Sequence, residues 1–346
     1  MKKRYWLGIA ISALLTYVLL RSVQLTSVAQ AFRHANLFFL LPALALYFAG
    51  VLARAVRWSV LLRPVRRISL RRLYQVLVVG YMANDILPLR AGEAVRAYML
   101  WQKERIEPGA TVATILVERI FDGLALTGFL VAASLVIPLG ESLVWLARVA
   151  GLVFVAGVLA AVALAIAPHL TLRLTEAALA PFPARFRDMT LRVIRSFEDG
   201  LRILRSARDT ALVLVLSVVA WLLEAGMYYV LMFSFSFQPR YLAAVLGAAV
   251  ANLASMIPSS PGYVGTFDVG LLNVLNGTFG VDASYAAAYT ALVHAALIVP
   301  VTILGIFFVW REGLSLKRLT SRESYAETAA AETGKDGEAA AHHSTP

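Results

Sequence analysis

Apolar residues run in long blocks along this chain, and the polar residues that separate the blocks are mostly arginines. Crossing hydrocarbon takes about 20 apolar residues in one helix, because every backbone group must be bonded inside its own segment where no water is available. Blocks of that kind lie at residues 37–62, 111–137, 142–167, 211–235 and 285–310, with a shorter one at 241–257. The opening MKKRYWLGIAISALLTYVLLR has the basic front and apolar stretch of a signal peptide. Arg21 interrupts that stretch well before the small residues at 29–31, so it reads as a retained first helix. The pattern predicts an all-α polytopic integral membrane protein of about seven to eight transmembrane helices.

Two blocks break off early. In LYQVLVVGYMANDILPLRAGEAVR the apolar run lasts only about 15 residues before Pro88, Arg90, Gly92 and Glu93 interrupt it. That is too short to cross comfortably and predicts a broken or re-entrant helix whose freed backbone groups line a cavity. The 241–257 block runs into the turn-rich PSSPGYVGTFD, the second break. Asn84, Pro88, Gly92 and Glu93 in the first are answered by Asn252, Pro258, Gly262 or Gly265, and Asp268 in the second, which suggests an internal repeat. Interrupted apolar segments at matching places in two halves point to the central binding site of a transporter.

Composition sharpens the picture: 60% of the 346 residues are hydrophobic, 15% are charged and the mean hydropathy is +0.72, more apolar surface than a water-soluble fold can hide. The net charge of +11 comes from arginines in short connections beside apolar runs, which favours anionic lipid headgroups over nucleic acid as the partner. The positive-inside rule places the amino terminus, the 63–72 connection, the 170–208 segment and the tail in the cytoplasm, the protein itself being in the cytoplasmic membrane. Within 170–208, Leu191, Ile194, Leu201 and Leu204 recur at helical spacing and predict an amphipathic helix against the inner membrane surface. From about residue 313 the composition supports no packed core, giving two parts: a membrane domain over 1–312 and a disordered cytoplasmic tail over 313–346. Cysteine is absent and the five histidines are scattered, so neither a metal site nor a cofactor is expected.

The richest chemistry lies in NDILPLRAGEAVR, where Asp85, Arg90, Glu93 and Arg96 sit beside the first break. Arginine donates in a planar fork that matches phosphate, so Arg90 and Arg96 are candidates to hold a lipid phosphate, with Glu93 orienting an arginine or exchanging a proton. VERIFDG puts Glu118 and Asp122 one helical turn apart with Arg119 adjacent, inside an otherwise apolar span. Arg54 and Arg57, also one turn apart, are their candidate partners. At the second break Pro261, Gly262 and Gly265 suit a backbone opening into a cavity with Asp268 at its edge. Glu224, deep in WLLEAGMYYV, is a proton-relay candidate, and His294 reads as a histidine hydrogen-bonded between helices. With Asn84, Asp85, Pro88, Gly92 and Asn252 these residues make up the candidate substrate-binding set. No phosphate-binding loop, zinc-protease motif or nucleophile elbow is present, so no residue is assigned a catalytic role.

The order RAVRW, NDILPLRAGEAVR, VERIFD and PSSPGYVGTFD, spanning roughly residues 5–312, resembles the transmembrane-domain family of lysylphosphatidylglycerol synthetase and flippase proteins. The resemblance implies the lipid-moving half of those proteins without the cytosolic aminoacyl-transferase domain. Family members often carry a glycine where this chain has Tyr263 and a glutamate where it has Asp268. Three readings follow: a translocase for an anionic or lipid-linked phosphate substrate, an intramembrane enzyme of lipid, glycolipid or hopanoid synthesis, and an accessory subunit that recruits a partner enzyme through the 170–208 segment.

Overall fold

The computed structural model describes residues 25–87, 91–180, 183–235, 237–238, 240–256 and 260–312. The first predicted helix, Pro88, Arg90, Pro258 and the tail from 313 lie outside them. The described residues form twelve α-helices and no strand. They are α1 (Leu25–Arg33), α2 (Leu40–Leu62), α3 (Leu70–Ile86), α4 (Gly92–Glu104), α5 (Pro108–Ser134), α6 (Glu141–Ile166), α7 (Pro168–Leu179), α8 (Ala184–Leu201), α9 (Ala207–Met232), α10 (Tyr241–Ser255), α11 (Thr266–Leu272) and α12 (Ala283–Arg311). Local signals set their ends: Asp282 caps α12 by accepting from the backbone of Ser284 and Tyr285, and the Ser206 hydroxyl accepts from the Asp209 amide at the start of α9.

Four segments, Leu37–Leu62, Glu141–Ile166, Ala207–Met232 and Ala283–Arg311, are long and apolar enough to cross a membrane. α5 is as long but carries Glu118, Arg119 and Asp122. The periphery is apolar too: along α6 only Ala150, Ala161 and Ala165 are buried, while Trp145, Leu152, Val153, Leu159 and Ile166 are exposed. An outward apolar surface of that extent needs hydrocarbon around it, and the chain is an all-α polytopic membrane protein.

The bundle is built twice. α2 packs on α9, and their equivalent residues run in opposite directions: Gly50 faces Ala220 and Leu223, Gly226 faces Leu46, and Arg57 reaches Ser217. Each unit then folds a helical hairpin, α3 with α4 in the first and α10 with α11 in the second. Each hairpin is followed by a long helix, α5 or α12, that packs on the first arm of the other unit's hairpin, α10 or α3. Because α2 and α9 are antiparallel, the units form an inverted repeat. Arg72 at the start of α3 stands 3.6 Å from Glu104 at the end of α4, so the first hairpin leaves by the end of the bundle at which it arrives. Glu312, just past α12, bonds Arg72 and Lys103 at that same end. The second hairpin opens toward the opposite end, where Met232, Arg240, Val281 and Tyr285 surround one surface pocket.

The hairpin arms touch through backbone. A methyl carbon placed on Gly92 would stand 2.0 Å from the Gly80 carbonyl oxygen, and the Gly92 amide donates to Asn84 Oδ1 at 2.8 Å. Only glycine allows this approach.

α8 is the amphipathic helix expected in the 170–208 segment, and it packs on α5. Its apolar stripe covers α5: Leu191, Leu201 and Leu204 are buried, Ser196 Oγ accepts from the Ala110 amide, and Gly200 lies against the Ala110 carbonyl. Periodicity identified the apolar face, and a neighbouring helix covers Leu191 and Leu201 while Met189 and Val193 stay exposed.

Gly92→Ala should lower the unfolding free energy in detergent by about 3 kcal/mol, an overpacking cost at the top of the usual range, since the obstructing atom is backbone. Gly128→Ala, with open space around it inside α5, should instead stabilise by up to about 1 kcal/mol, read as a slightly higher melting temperature.

Candidate functional site

Between the two hairpin tips lies a cavity of about 140 Å³, room for on the order of ten waters. α2 and α9 supply Arg54, Tyr47, Trp221 and Glu224. The hairpin arms supply Asn84, Asp85 and Asn252, and the long helices add Arg119, Asp122 and His294. Two inner helices and two hairpins converging on one point bring together residues from both halves of the sequence.

Beneath and beside the cavity runs an ion-pair network that removes most of the buried charge. Arg57 holds Asp122 through both fork nitrogens, at 2.5 and 3.1 Å, and approaches Glu118 at 3.3 Å. Arg96 holds the same Glu118 at 2.8 and 3.3 Å and lies flat over Trp58, 4.0 Å from the ring centre. Arg54 pairs with Glu224 at 2.6 Å and stacks on Trp221, whose ring N–H donates to Asp122 at 2.9 Å. Asn252 steadies Glu224 from α10 at 3.2 Å. Paired in this way, the charges escape the cost of isolated ions in an apolar interior.

Arg96, expected to grip a headgroup, is instead 1% exposed and spends its guanidinium on Glu118 and Trp58, so it fixes α4 to α5 and does not line the cavity. Arg90 and Pro88 lie outside the described residues. Glu224, the proton-relay candidate, is bound by Arg54 and Asn252. Among the four arginines of the network, Arg54, Arg57 and Arg96 have side chains at most 6% exposed, whereas Arg119 is 31% exposed. Arg119 gives Nη2 to Glu93 at 3.1 Å, and its Nε finds no acceptor among the described residues. Asn84, Asp85, Asp122 and Asn252 line the cavity, and Glu93 acts through Arg119. Gly92 sits at the arm contact of the first hairpin.

The second tip turns sharply, with Gly262, Tyr263 and Gly265 all at positive φ, 69°, 58° and 90°. Pro261 opens the turn. Asp268 accepts from the Gly265 amide at 2.8 Å through Oδ2, and its Oδ1 meets His294 Nδ1 at 2.6 Å. His294 Nε2 meets the Gly262 carbonyl at 2.7 Å, in keeping with a histidine bonded between elements. A tyrosine at φ 58° occupies the left-handed region that favours glycine, which accounts for the glycine often found at this place in the resembling family. Tyr47, Tyr81, Trp221 and Phe267, which line the cavity, were not singled out in the sequence, since aromatics in apolar spans carry no signal of their own. The described residues hold no group of three or more candidate metal ligands.

An inverted repeat of apolar helices with paired hairpins around a charged central cavity defines a polytopic α-helical membrane protein. The chain belongs to the family described as lysylphosphatidylglycerol synthase TM region, whose profile matches residues 5–305. A UPF0104 membrane protein of Methanothermobacter thermautotrophicus is 28% identical over 77% of this chain and 82% of its own length. Another, from Pyrococcus horikoshii, is 24% identical over 84% of this chain and 91% of its own. The glycosyltransferase AglD of Haloferax volcanii is 25% identical over 73% of this chain, a match that spans 45% of that enzyme. No solved structure matches.

Three outcomes are expected from stability measurements in detergent. Glu118→Gln leaves Arg57 and Arg96 undercompensated in the interior and should cost about 3–5 kcal/mol, while Arg119→Lys, at a partly exposed pair, should cost under about 1 kcal/mol. Tyr263→Gly should add about 1 kcal/mol by relieving the left-handed backbone, read as a higher melting temperature.

Proposed function

We propose that this protein translocates an anionic, phosphate-bearing lipid headgroup across the cytoplasmic membrane, with the two hairpins as re-entrant elements that close the central cavity from opposite sides. The observation that carries the reading is Arg119: a partly exposed side chain lining the cavity, oriented by Glu93, at the meeting point of an inverted repeat. Its planar fork suits a phosphate, and its neighbours Asn84, Asn252 and Asp85 are placed to select among the polar groups that accompany it. The lipid tails remain in the bilayer while the headgroup passes the cavity. Cytoplasmic orientation of both termini is supported by the arginines of the 63–72 connection, gathered at one end with Glu104 and Glu312. Similarity to a glycosyltransferase supports a glycolipid-related substrate within the phosphate-bearing class.

The test is reconstitution in liposomes with headgroup-labelled phosphatidylglycerol or phosphatidylcholine, scored by chemical quenching of the outer leaflet. The parent protein should move the anionic label faster than the zwitterionic one and return both lipids unchanged. Arg119→Lys keeps the charge but loses the fork, and should slow the anionic lipid by roughly tenfold, the worth of one charge-assisted hydrogen bond. Arg202→Lys, on the exposed 3-10 turn after α8, should match the parent. Equal rates for all three proteins, or conversion of the lipid to a new product, would contradict the translocase reading.

A further inference from the structure

We propose that His294 and Asp268 form a proton-binding site in the wall of the translocation cavity, and that a proton is the co-substrate carried with the anionic headgroup. The proposal rests on the translocase reading above and specifies what drives it.

The argument is a count of hydrogens. His294 Nε2 lies 2.7 Å from the Gly262 carbonyl oxygen, which has no hydrogen to give, so Nε2 carries one. Nδ1 lies 2.6 Å from Asp268 Oδ1, a separation at which two lone pairs repel, so a second hydrogen sits between them. Whether it resides on nitrogen, as imidazolium beside carboxylate, or on oxygen, as imidazole beside carboxylic acid, the pair holds one exchangeable proton. Asp268 Oδ2 is occupied by the Gly265 amide and stays fixed. When the shared proton leaves for cavity water, the neutral imidazole has one hydrogen for two acceptors, so either the Asp268 contact or the Gly262 contact opens.

Those contacts lie where the two hairpin tips meet. A methyl carbon on Gly262 would be 3.7 Å from the Asp85 carbonyl oxygen, so the turn held by His294 is the same turn that abuts α3. Loading the proton closes both contacts, and unloading frees one. The equivalent link in the other half is Arg96 to Glu118, between the second hairpin arm and the following long helix. Arginine does not give up its proton, so one half of the repeat is permanently latched and the other reversibly.

Most of the charged groups around the pair are committed to partners of their own. Across the cavity, Arg54 is paired with Glu224, Asp122 with Arg57, and Arg119 with Glu93. Asp85 accepts from the Thr302 hydroxyl at 3.0 Å. Tyr47, Tyr81 and Tyr263 are the remaining titratable groups lining the space, and Phe267 covers the imidazole with ring centres 4.5 Å apart. A protonated pair makes the wall one charge less negative as an anion enters, and an anion of single charge travelling with one proton moves no net charge.

Two measurements on the full chain in liposomes test the proposal separately from the translocase reading. The first is the nitrogen NMR spectrum of 15N-histidine-labelled protein, with the His294 signal assigned by its loss in His294→Gln. Both ring nitrogens should be protonated or strongly hydrogen-bonded at acid pH, and one should lose its hydrogen as the pH rises. In Asp268→Asn that transition should shift toward lower pH. The second is the distribution of labelled phosphatidylglycerol under an imposed pH gradient. Each pH unit should shift the ratio between leaflets by up to about tenfold toward the side into which protons flow. Asp268→Asn should abolish the response, and Glu141→Gln, exposed at the start of α6, should retain it. An even distribution under the gradient, accumulation on the opposite side, or a His294 spectrum invariant with pH would each overturn the proposal. If no lipid moves with or without a gradient while His294 still titrates with Asp268, the translocase reading fails and the proton site stands.

Discussion

Glu118 is the pivot of this structure. One carboxylate, 1% exposed, accepts from Arg96 on the second hairpin arm and lies within ion-pair distance of Arg57 on the inner helix, so three helices share a single negative charge. Nothing in hydrocarbon replaces water for these groups, and each must find its counter-charge inside the protein. The bidentate grip of Arg96 fixes the hairpin in angle as well as position, and Trp58 beneath it removes the remaining freedom. With that arm fixed, Arg119 one residue along α5 is held at the cavity, where Glu93 from the same arm orients it.

The two halves solve one geometric problem with different chemistry. Each has a short hairpin that turns back inside the bundle and a polar link from its second arm to the next long helix. In the first half the link is arginine with glutamate, and in the second it is aspartate with histidine. The first tip closes on glycine backbone and an asparagine, whereas the second carries three positive-φ residues within four, of which Tyr263 is not a glycine. Backbone strain at Tyr263 and the proposed proton latch therefore fall on the same side.

How much of this was legible follows from what each signal reports. Apolar runs end where arginine, proline or glycine makes burial costly, so the 37–62, 142–167 and 285–310 blocks fall within a few residues of the helices observed. The matching order of asparagine, proline, glycine and carboxylate located both hairpins. Periodicity tells which face is apolar but not what lies on it, and so the packing of α8 on α5 was not legible in its stripe. Charge partners are harder still: Arg54 and Glu224 are 170 positions apart, and no local pattern distinguishes an arginine held by glutamate from one open to a ligand. Arg96 and Arg119 exchange their expected prominence for that reason alone.

The contact of Gly92 with Gly80 and Asn84 has a consequence for descent as well as for stability. An arm crossing made of backbone leaves no side-chain volume that one position can yield to another, so drift at any of the three sites must be answered at the others at once. Among relatives of this chain, positions 80, 84 and 92 should therefore vary together or stay fixed together. The exposed apolar positions of α6, which pack against interchangeable lipid tails, should wander freely in identity while keeping their hydrophobicity.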